Sequence, residues 1–157
     1  MNVGMRPFPQ AEHDTWPQCE RLLMQTAVAM QIIERHQDIG EVSGRLLYEA
    51  AYSLWDRAHY AEAEPLFLRA LAIYEQQVGP EHLLVAYPLN NLASLYCEQG
   101  KYTEAELLFQ RALHIWEQAL GVHHPKTTET RKRLIALLHT MGQHEQAAQL
   151  EAVQSEP

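Results

Sequence analysis

A 42-residue internal repeat is the feature that most restricts how this chain can fold. The segment Tyr60–Ile73, YAEAEPLFLRALAI, returns at Tyr102–Ile115 as YTEAELLFQRALHI. A weaker third copy follows after another 42 residues, with Gly142, His144 and Ala147 at the positions of Gly100, Tyr102 and Ala105. A period of this length is typical of stacked supersecondary units, because no single unit can bury its apolar face alone.

Each repeat contains two segments with the spacing of amphipathic helices. In the second repeat, apolar residues at i, i+3, i+4 and i+7 are Leu89, Leu92, Ala93 and Tyr96. Gly100 then breaks the pattern, since glycine takes the left-handed conformation that ends a helix. A second helix is predicted to begin near Tyr102, with an apolar face made of Ala105, Leu108, Phe109, Ala112 and Ile115. One face of each helix must therefore be buried.

Small and large apolar residues recur as stacked helix hairpins require. Close approach of antiparallel helices is favoured by Ala63, Ala70, Ala105 and Ala112. Phe67 and Phe109 can fill the space between hairpins. We therefore predict an all-α fold of about three antiparallel helix hairpins after an N-terminal helix. Pro88 lies where the second repeat should already be helical, so we predict a late start there, or Pro88 in the first turn.

The predicted organisation has six parts. A disordered or irregular N-terminus at 1–13 precedes a capping helix or half-repeat at 14–41. The repeats follow at 42–83, 84–125 and, in degenerate form, 126–153, with a frayed tail at 154–157.

Charge and cysteine usage exclude several classes of partner. The chain has 12 Lys and Arg against 20 Asp and Glu, a net charge of −8 that repels nucleic-acid phosphates and anionic lipids. No apolar run reaches the roughly 18 residues of a membrane span, and the first residues lack a signal peptide's apolar stretch. We expect a cytoplasmic protein that binds neither nucleic acid nor membranes. Cys19 and Cys97 are expected to be free thiols.

Three motifs carry a resemblance to a known family: LNNLA at 89–93, GKYTEAE at 100–106 and RAL at 111–113. They resemble the tetratricopeptide repeats of kinesin light chain, and similar arrays form the C-terminal regions of bacterial signalling ATPases. The resemblance covers about residues 42–150. It implies a right-handed solenoid whose first helices line a concave surface that holds an extended peptide or a partner's helix. A GxxxxGK[ST] loop is missing, so the chain is not itself the ATPase.

Candidate groove residues lie on the face of each first helix that is opposite its apolar, buried face. In the first repeat they are Tyr48, Tyr52 and Trp55, spaced i, i+4 and i+7. The same positions in the second repeat are Asn90, Ser94 and Cys97, with Asn91 beside them. In the third repeat they are Lys132, Ala136 and His139, with Arg133 beside them. This aromatic, amide and basic series would suit a segment with one apolar and one acidic end.

Each group also has a structural explanation. The three aromatic residues can pack against a helix at Trp16–Gln37 instead of facing a groove, and both explanations stay open. Asn90 and Asn91 favour the groove, because adjacent amides are poor helix formers that need a local reason. The basic run at 131–133 is of the kind that usually forms a solvated face.

Metal binding and catalysis are not expected. His82 and His124 are equivalent points in successive repeats, so they lie apart along the stack instead of converging on an ion. No residue pair offers a nucleophile and a base at an informative spacing, and stacked hairpins have few enclosed pockets. We predict no metal, no cofactor and no enzymatic activity.

The sequence therefore predicts a protein-interaction module, an adaptor or scaffold that binds a peptide or helical segment of a partner. The alternative is a structural or self-associating fragment of a larger repeat-containing signalling protein, with homo-oligomers formed through the array ends. The apolar segment that includes Trp16 and Leu22–Met24 is where self-association would be expected.

Overall fold

The computed structural model describes residues 40–155, which form six α-helices and no strand. The helices are α1 Glu41–Asp56, α2 Tyr60–Val78, α3 Leu83–Glu98, α4 Tyr102–Leu120, α5 Pro125–Thr140 and α6 His144–Ser155. None of these six helices has the length and hydropathy that a membrane span needs. The all-α prediction is confirmed. The predicted N-terminal parts, at 1–13 and nearly all of 14–41, lie outside the described residues.

The six helices pack as consecutive hairpins, α1 with α2, α3 with α4 and α5 with α6. The four alanines predicted at points of close approach are fully buried, and Phe67 and Phe109 are 0% and 2% exposed. Tyr74 of α2, Leu89 of α3 and Ile115 of α4 belong to one buried cluster. Successive hairpins therefore share their core, as repeats that cannot bury their faces alone must do.

Histidines cap the first helices of the second and third repeats. Nδ1 of His82 accepts a hydrogen bond from the backbone N–H of Leu84, and Nδ1 of His124 accepts one from that of Lys126, both at 3.2 Å. Because the cap at His82 fixes the start of α3, Pro88 lies inside the helix and the predicted late start is wrong. Pro88 costs one hydrogen bond, to the carbonyl of Leu84, while its buried ring packs in the core.

The turns between the two helices of each hairpin share one geometry. After α3, the N–H of Lys101 donates to the carbonyl of Tyr96 at 2.8 Å, a bond of the Schellman motif. This motif needs a left-handed residue, which is Gly100 at φ 75° and, in the third hairpin, Gly142 at φ 77°. The first hairpin has Ala58 at this position, with φ 61°. Ala58 therefore has a left-handed backbone conformation, which L residues disfavour because the β-carbon comes too close to the following carbonyl oxygen.

Replacing Ala58 with glycine should stabilise the protein. Relief of left-handed strain contributes roughly 1–2 kcal/mol, and the added freedom of glycine in the unfolded chain offsets about 0.4–1 kcal/mol of it. The expected result is a thermal midpoint higher by about 2 °C in circular dichroism melts. Gly100→Ala, the reverse change at the equivalent position, should lower the midpoint. A lower midpoint for Ala58→Gly would contradict the assigned strain.

An ion pair links the second helices of the first two hairpins. Nη2 of Arg111, on α4, lies 2.6 Å from Oε1 of Glu75, on α2. The same nitrogen donates to the carbonyl of Pro80 at 3.1 Å. Arg111 thus joins α4 to the loop that follows α2.

A charged residue lies in the core of the third hairpin. Arg131 is 1% exposed and stands one 42-residue step after the buried Leu89. Its Nη2 donates to Oε1 of Glu117 at 2.8 Å, and its Nη1 to the carbonyl of Val122 at 3.2 Å. The interpretation of residues 131–133 as a solvated face is therefore wrong for Arg131. The carboxylate and the carbonyl compensate for part of the loss of water around the guanidinium, whereas Nε of Arg131 is buried without a hydrogen-bond partner within residues 40–155.

Candidate functional site

The groove candidates lie on the first helices, α1, α3 and α5, and differ in exposure. Half-buried side chains are Tyr48, Tyr52, Trp55, Asn90, Ser94 and Arg133. Asn91 is 7% exposed, whereas Lys132 is exposed. Lys132 makes no polar side-chain contact with the rest of residues 40–155, which leaves its ammonium group in solvent.

Tyr48 and Asn91 join α1 to α3. Nδ2 of Asn91 donates to the hydroxyl oxygen of Tyr48 at 2.8 Å. The Tyr48 ring centroid lies 5.8 Å from that of Phe67 and 6.1 Å from that of Tyr87. The local reason for an amide at position 91 is thus a part-buried hydrogen bond between two hairpins. The structure places Asn91 inside this helix interface.

Asn90 and Ser94 join α3 to α5. Oδ1 of Asn90 accepts a hydrogen bond from Oγ1 of Thr130 at 3.1 Å. Oγ of Ser94 accepts one from Nη1 of Arg133 at 2.9 Å, and Nη2 of Arg133 donates to Oε1 of Glu129 at 2.5 Å. These bonds fix the orientation of the side chains on both helices.

The aromatic residues of α1 contact one another. The ring centroids of Tyr52 and Trp55 are 5.7 Å apart, and those of Tyr48 and Tyr52 are 6.4 Å apart. Burial and the negative charge of Asp56 raise the pKa of Tyr52, and the positive charge of Arg133 counteracts them.

The remaining positions of the predicted series have other surroundings. Cys97 is a half-buried free thiol, and burial raises its pKa. Ala136 is exposed. Nδ1 of His139 lies 3.0 Å from Nδ1 of His144, and its Nε2 lies 3.1 Å from Oε1 of Glu151. Within the part of the chain that is described, no group of three or more His, Cys, Asp or Glu side chains could hold a metal ion.

Sequence reasoning missed a cation held by aromatic rings. Nζ of Lys126, at the start of α5, lies 4.0 Å from the ring centroid of Tyr87 and 5.4 Å from that of Trp116. It also donates to the Tyr87 hydroxyl at 2.9 Å. The two rings meet edge to face with centroids 4.8 Å apart. The repeat alignment contained a signal for this contact. Lys126 occupies the position at which the previous repeat has the apolar residue Leu84.

Two tyrosines should ionise late on alkaline titration. Burial raises the pKa of Tyr48 to about 12. Burial, and then the hydrogen bond from Tyr96 to the Glu64 carboxylate at 3.0 Å, raises the pKa of Tyr96 to about 12. Unfolded tyrosines ionise near pH 10. Both groups therefore stabilise the fold fully below pH 10, and this contribution is lost as the pH rises towards 12.

The measurement is the free energy of unfolding in urea at several pH values from 8 upwards. We expect it to fall above pH 10, and to fall less in the double variant Tyr48→Phe, Tyr96→Phe. An equal fall in both proteins would show that neither phenol is held protonated by the fold.

Three stacked hairpins repeating every 42 residues define a helical-repeat protein. Residues 43–113 and 84–152 match the family model described as tetratricopeptide repeat. The chain belongs to the tetratricopeptide repeat family. Proteins of this family are non-catalytic modules that mediate contacts between proteins.

Solved structures with the same fold include kinesin-light-chain proteins. BtubC (BKLC) from P. vanneervenii matches with a TM-score of 0.75 and 19% identity, over 90% of this chain and 59% of that one. A Podosopora anserina protein, named for kinesin light chain and for nearly identical TPR-like repeats, matches with a TM-score of 0.69 and 20% identity, over 89% of this chain and 69% of that one. A single-substitution variant of that protein matches with a TM-score of 0.70 and 20% identity, over 89% of this chain and 68% of that one.

The predicted resemblance to kinesin light chain repeats is confirmed by these structures, and at such identities they show the fold alone. This chain spans 59% of the length of BtubC. No curated protein sequence matches it.

Proposed function

We propose that α1, α3 and α5 form a surface that binds an extended peptide or a helical segment of a protein partner. Membership of a family that mediates protein contacts supports this proposal. The observation that carries it is a row of three hydrogen bonds that joins the three first helices. Asn91 donates to Tyr48, Thr130 donates to Asn90 and Arg133 donates to Ser94. Side chains held in this way lose little entropy on binding.

The chemistry of this surface suggests what the partner segment carries. The amide nitrogen of Asn90 can donate to a peptide carbonyl, and the rings of Tyr52 and Trp55 can cover an apolar side chain. Arg133 on α5, together with the exposed Lys132, suits a carboxylate. A short segment that combines an apolar and an acidic side chain fits best.

The test is a selection of peptides from a random displayed library on the immobilised full chain. Affinities of the selected peptides are then measured by fluorescence anisotropy for the wild type and for the double variant Asn90→Ala, Lys132→Glu. We expect the variant to bind at least about tenfold more weakly, the effect of about 1.4 kcal/mol. Asn91 is left unchanged, since its replacement would disturb the α1–α3 interface. Because Asn90 accepts a hydrogen bond from Thr130 of α5, equal thermal midpoints of the wild type and the double variant are established before binding is compared.

The matched control is Arg57→Glu, which makes the same change of charge at an exposed residue after α1. It should bind the selected peptides as the wild type does. Equal binding by all three proteins would place the site on another face. If selection yields no peptide and light scattering shows a mass that grows with concentration, the chain is a self-associating segment instead.

A further inference from the structure

The histidine caps of α3 and α5 depend on a ring nitrogen that carries a lone pair. In each cap the donor is the backbone N–H group two residues after the histidine, 3.2 Å from Nδ1. A backbone N–H can only donate, so Nδ1 of His82 and Nδ1 of His124 must both accept. A protonated imidazole has a hydrogen on both ring nitrogens and cannot accept. Each cap therefore exists only while its histidine is neutral.

The helix dipole acts in the same direction as the loss of the bond. Aligned N–H groups give the start of a helix a partial positive charge, which disfavours a cation in that turn. Protonation places an imidazolium at two such points, because His82 and His124 are separated by one 42-residue repeat. Acid therefore removes two hydrogen bonds and adds two repulsions at equivalent positions of the array.

The charged groups around the His82 cap form two pairs. The guanidinium of Arg111, on α4, pairs with Glu75 and donates to a carbonyl of the loop before the cap. The carboxylate of Glu81 lies 3.9 Å from Nε2 of His114, which is also on α4. Each carboxylate near this helix start is thus already opposed by a cation or by a second imidazole.

Most of the charged groups around the His124 cap are basic. Arg131 pairs with Glu117 of α4 and donates to a carbonyl of the loop before the cap. Lys126 supplies the N–H of the cap bond, and the exposed His123 precedes the cap. An imidazolium at His124 therefore adds a further positive charge to a basic environment.

We propose that His82 and His124 form a pH-sensitive device, which loosens the starts of α3 and α5 on acidification. The consequence for binding rests on the proposed peptide-binding function. Thr130, in the second turn of α5, donates to Asn90 of the candidate peptide-binding surface. Loss of the caps as the pH falls from about 8 to about 5, where imidazole takes up its proton, weakens the fold and then this surface.

The decisive variant is His82→Asn with His124→Asn. Asparagine is among the best capping residues and does not titrate. The unfolding constant is measured in urea at both ends of the pH range, for the wild type and the cap variant. The unfolded chain takes up these protons without losing a bond, so acid favours it. We expect the constant of the wild type to rise at least about tenfold more than that of the variant, the effect of two caps.

The matched control is His59→Asn with His123→Asn, which removes the same number of imidazoles. His59 precedes α2 and makes no side-chain cap bond, and His123 is exposed. The control should keep the full acid effect of the wild type. Equal acid effects in the wild type and the cap variant, or equal reductions in the cap variant and the control, would overturn the proposal.

These measurements need no peptide, so their outcome is separate from the peptide test. With a selected peptide, the affinity of the wild type should fall on acidification by more than that of the cap variant. Equal falls in affinity would refute the link between the caps and the binding surface. An acid effect on unfolding without any selected peptide would refute the peptide surface alone.

Discussion

Replacing Arg131 with alanine should lower the free energy of unfolding by about 3–5 kcal/mol. The change opens a cavity at a core position that is 1% exposed, and it leaves the Glu117 carboxylate without the guanidinium 2.8 Å away. The carbonyl of Val122 also loses its donor. Removing one member of a buried pair is costly, because the remaining charge has given up water without compensation.

The measurement is equilibrium unfolding in urea by far-ultraviolet circular dichroism, where an unchanged slope with a lower midpoint shows a loss of stability. Arg131→Met loses the same ion pair but keeps most of the side-chain volume, so it avoids the cavity and should cost less. Arg133→Ala, two residues further on and half-buried, controls for the loss of a positive charge. If Arg131→Ala and Arg133→Ala were equally mild, the buried pair would not stabilise the third hairpin.

Trp116→Ala should lower the free energy of unfolding by a similar amount, about 3–5 kcal/mol. Trp116 is 2% exposed and packs in the cluster that joins α2, α3 and α4. Its ring meets Tyr87 edge to face and lies under the ammonium group of Lys126. The substitution therefore removes a large apolar contact at the junction of two hairpins.

Trp116→Phe separates packing from polar contributions. The indole Nε1 is buried and has no hydrogen-bond partner within residues 40–155. Substitution by phenylalanine therefore reduces the buried apolar area but breaks no hydrogen bond. We expect it to cost less than half as much as alanine in the same urea experiment. Trp55→Ala, at a half-buried position, is the matched control and should cost less than Trp116→Ala. A phenylalanine variant as unstable as the alanine variant would indicate a polar role for the indole.

The repeat pattern predicts the core of this fold well, because burial follows helical spacing. The stripe from Leu89 to Tyr96 and the alanines at close approach points are read from the sequence without any long-range information. The start of α3 could not be predicted in this way. A proline usually marks the first turn, and the cap at His82 moves the start upstream of Pro88.

Individual side chains at equivalent positions are harder to predict than the fold. Arg131 and Lys126 look like surface cations in a basic, polar segment, yet each stands where the previous repeat has leucine. Their partners, Glu117 and the Tyr87 and Trp116 rings, come from other helices. For the same reason the sequence placed Asn90 and Asn91 together, whereas their bonds lead to different helices. The assignment of the peptide surface itself stays a prediction.

The ion pairs between hairpins bear on how such an array can change its length. Glu117 stands one step after Glu75, and Glu75 pairs with Arg111 of the following hairpin. If a tandem duplication of the gene copied residues 84–125, the original Glu117 would meet the copied Arg111, and the copied Glu117 would meet Arg131. Insertion of a whole 42-residue unit thus leaves each of these carboxylates with a guanidinium.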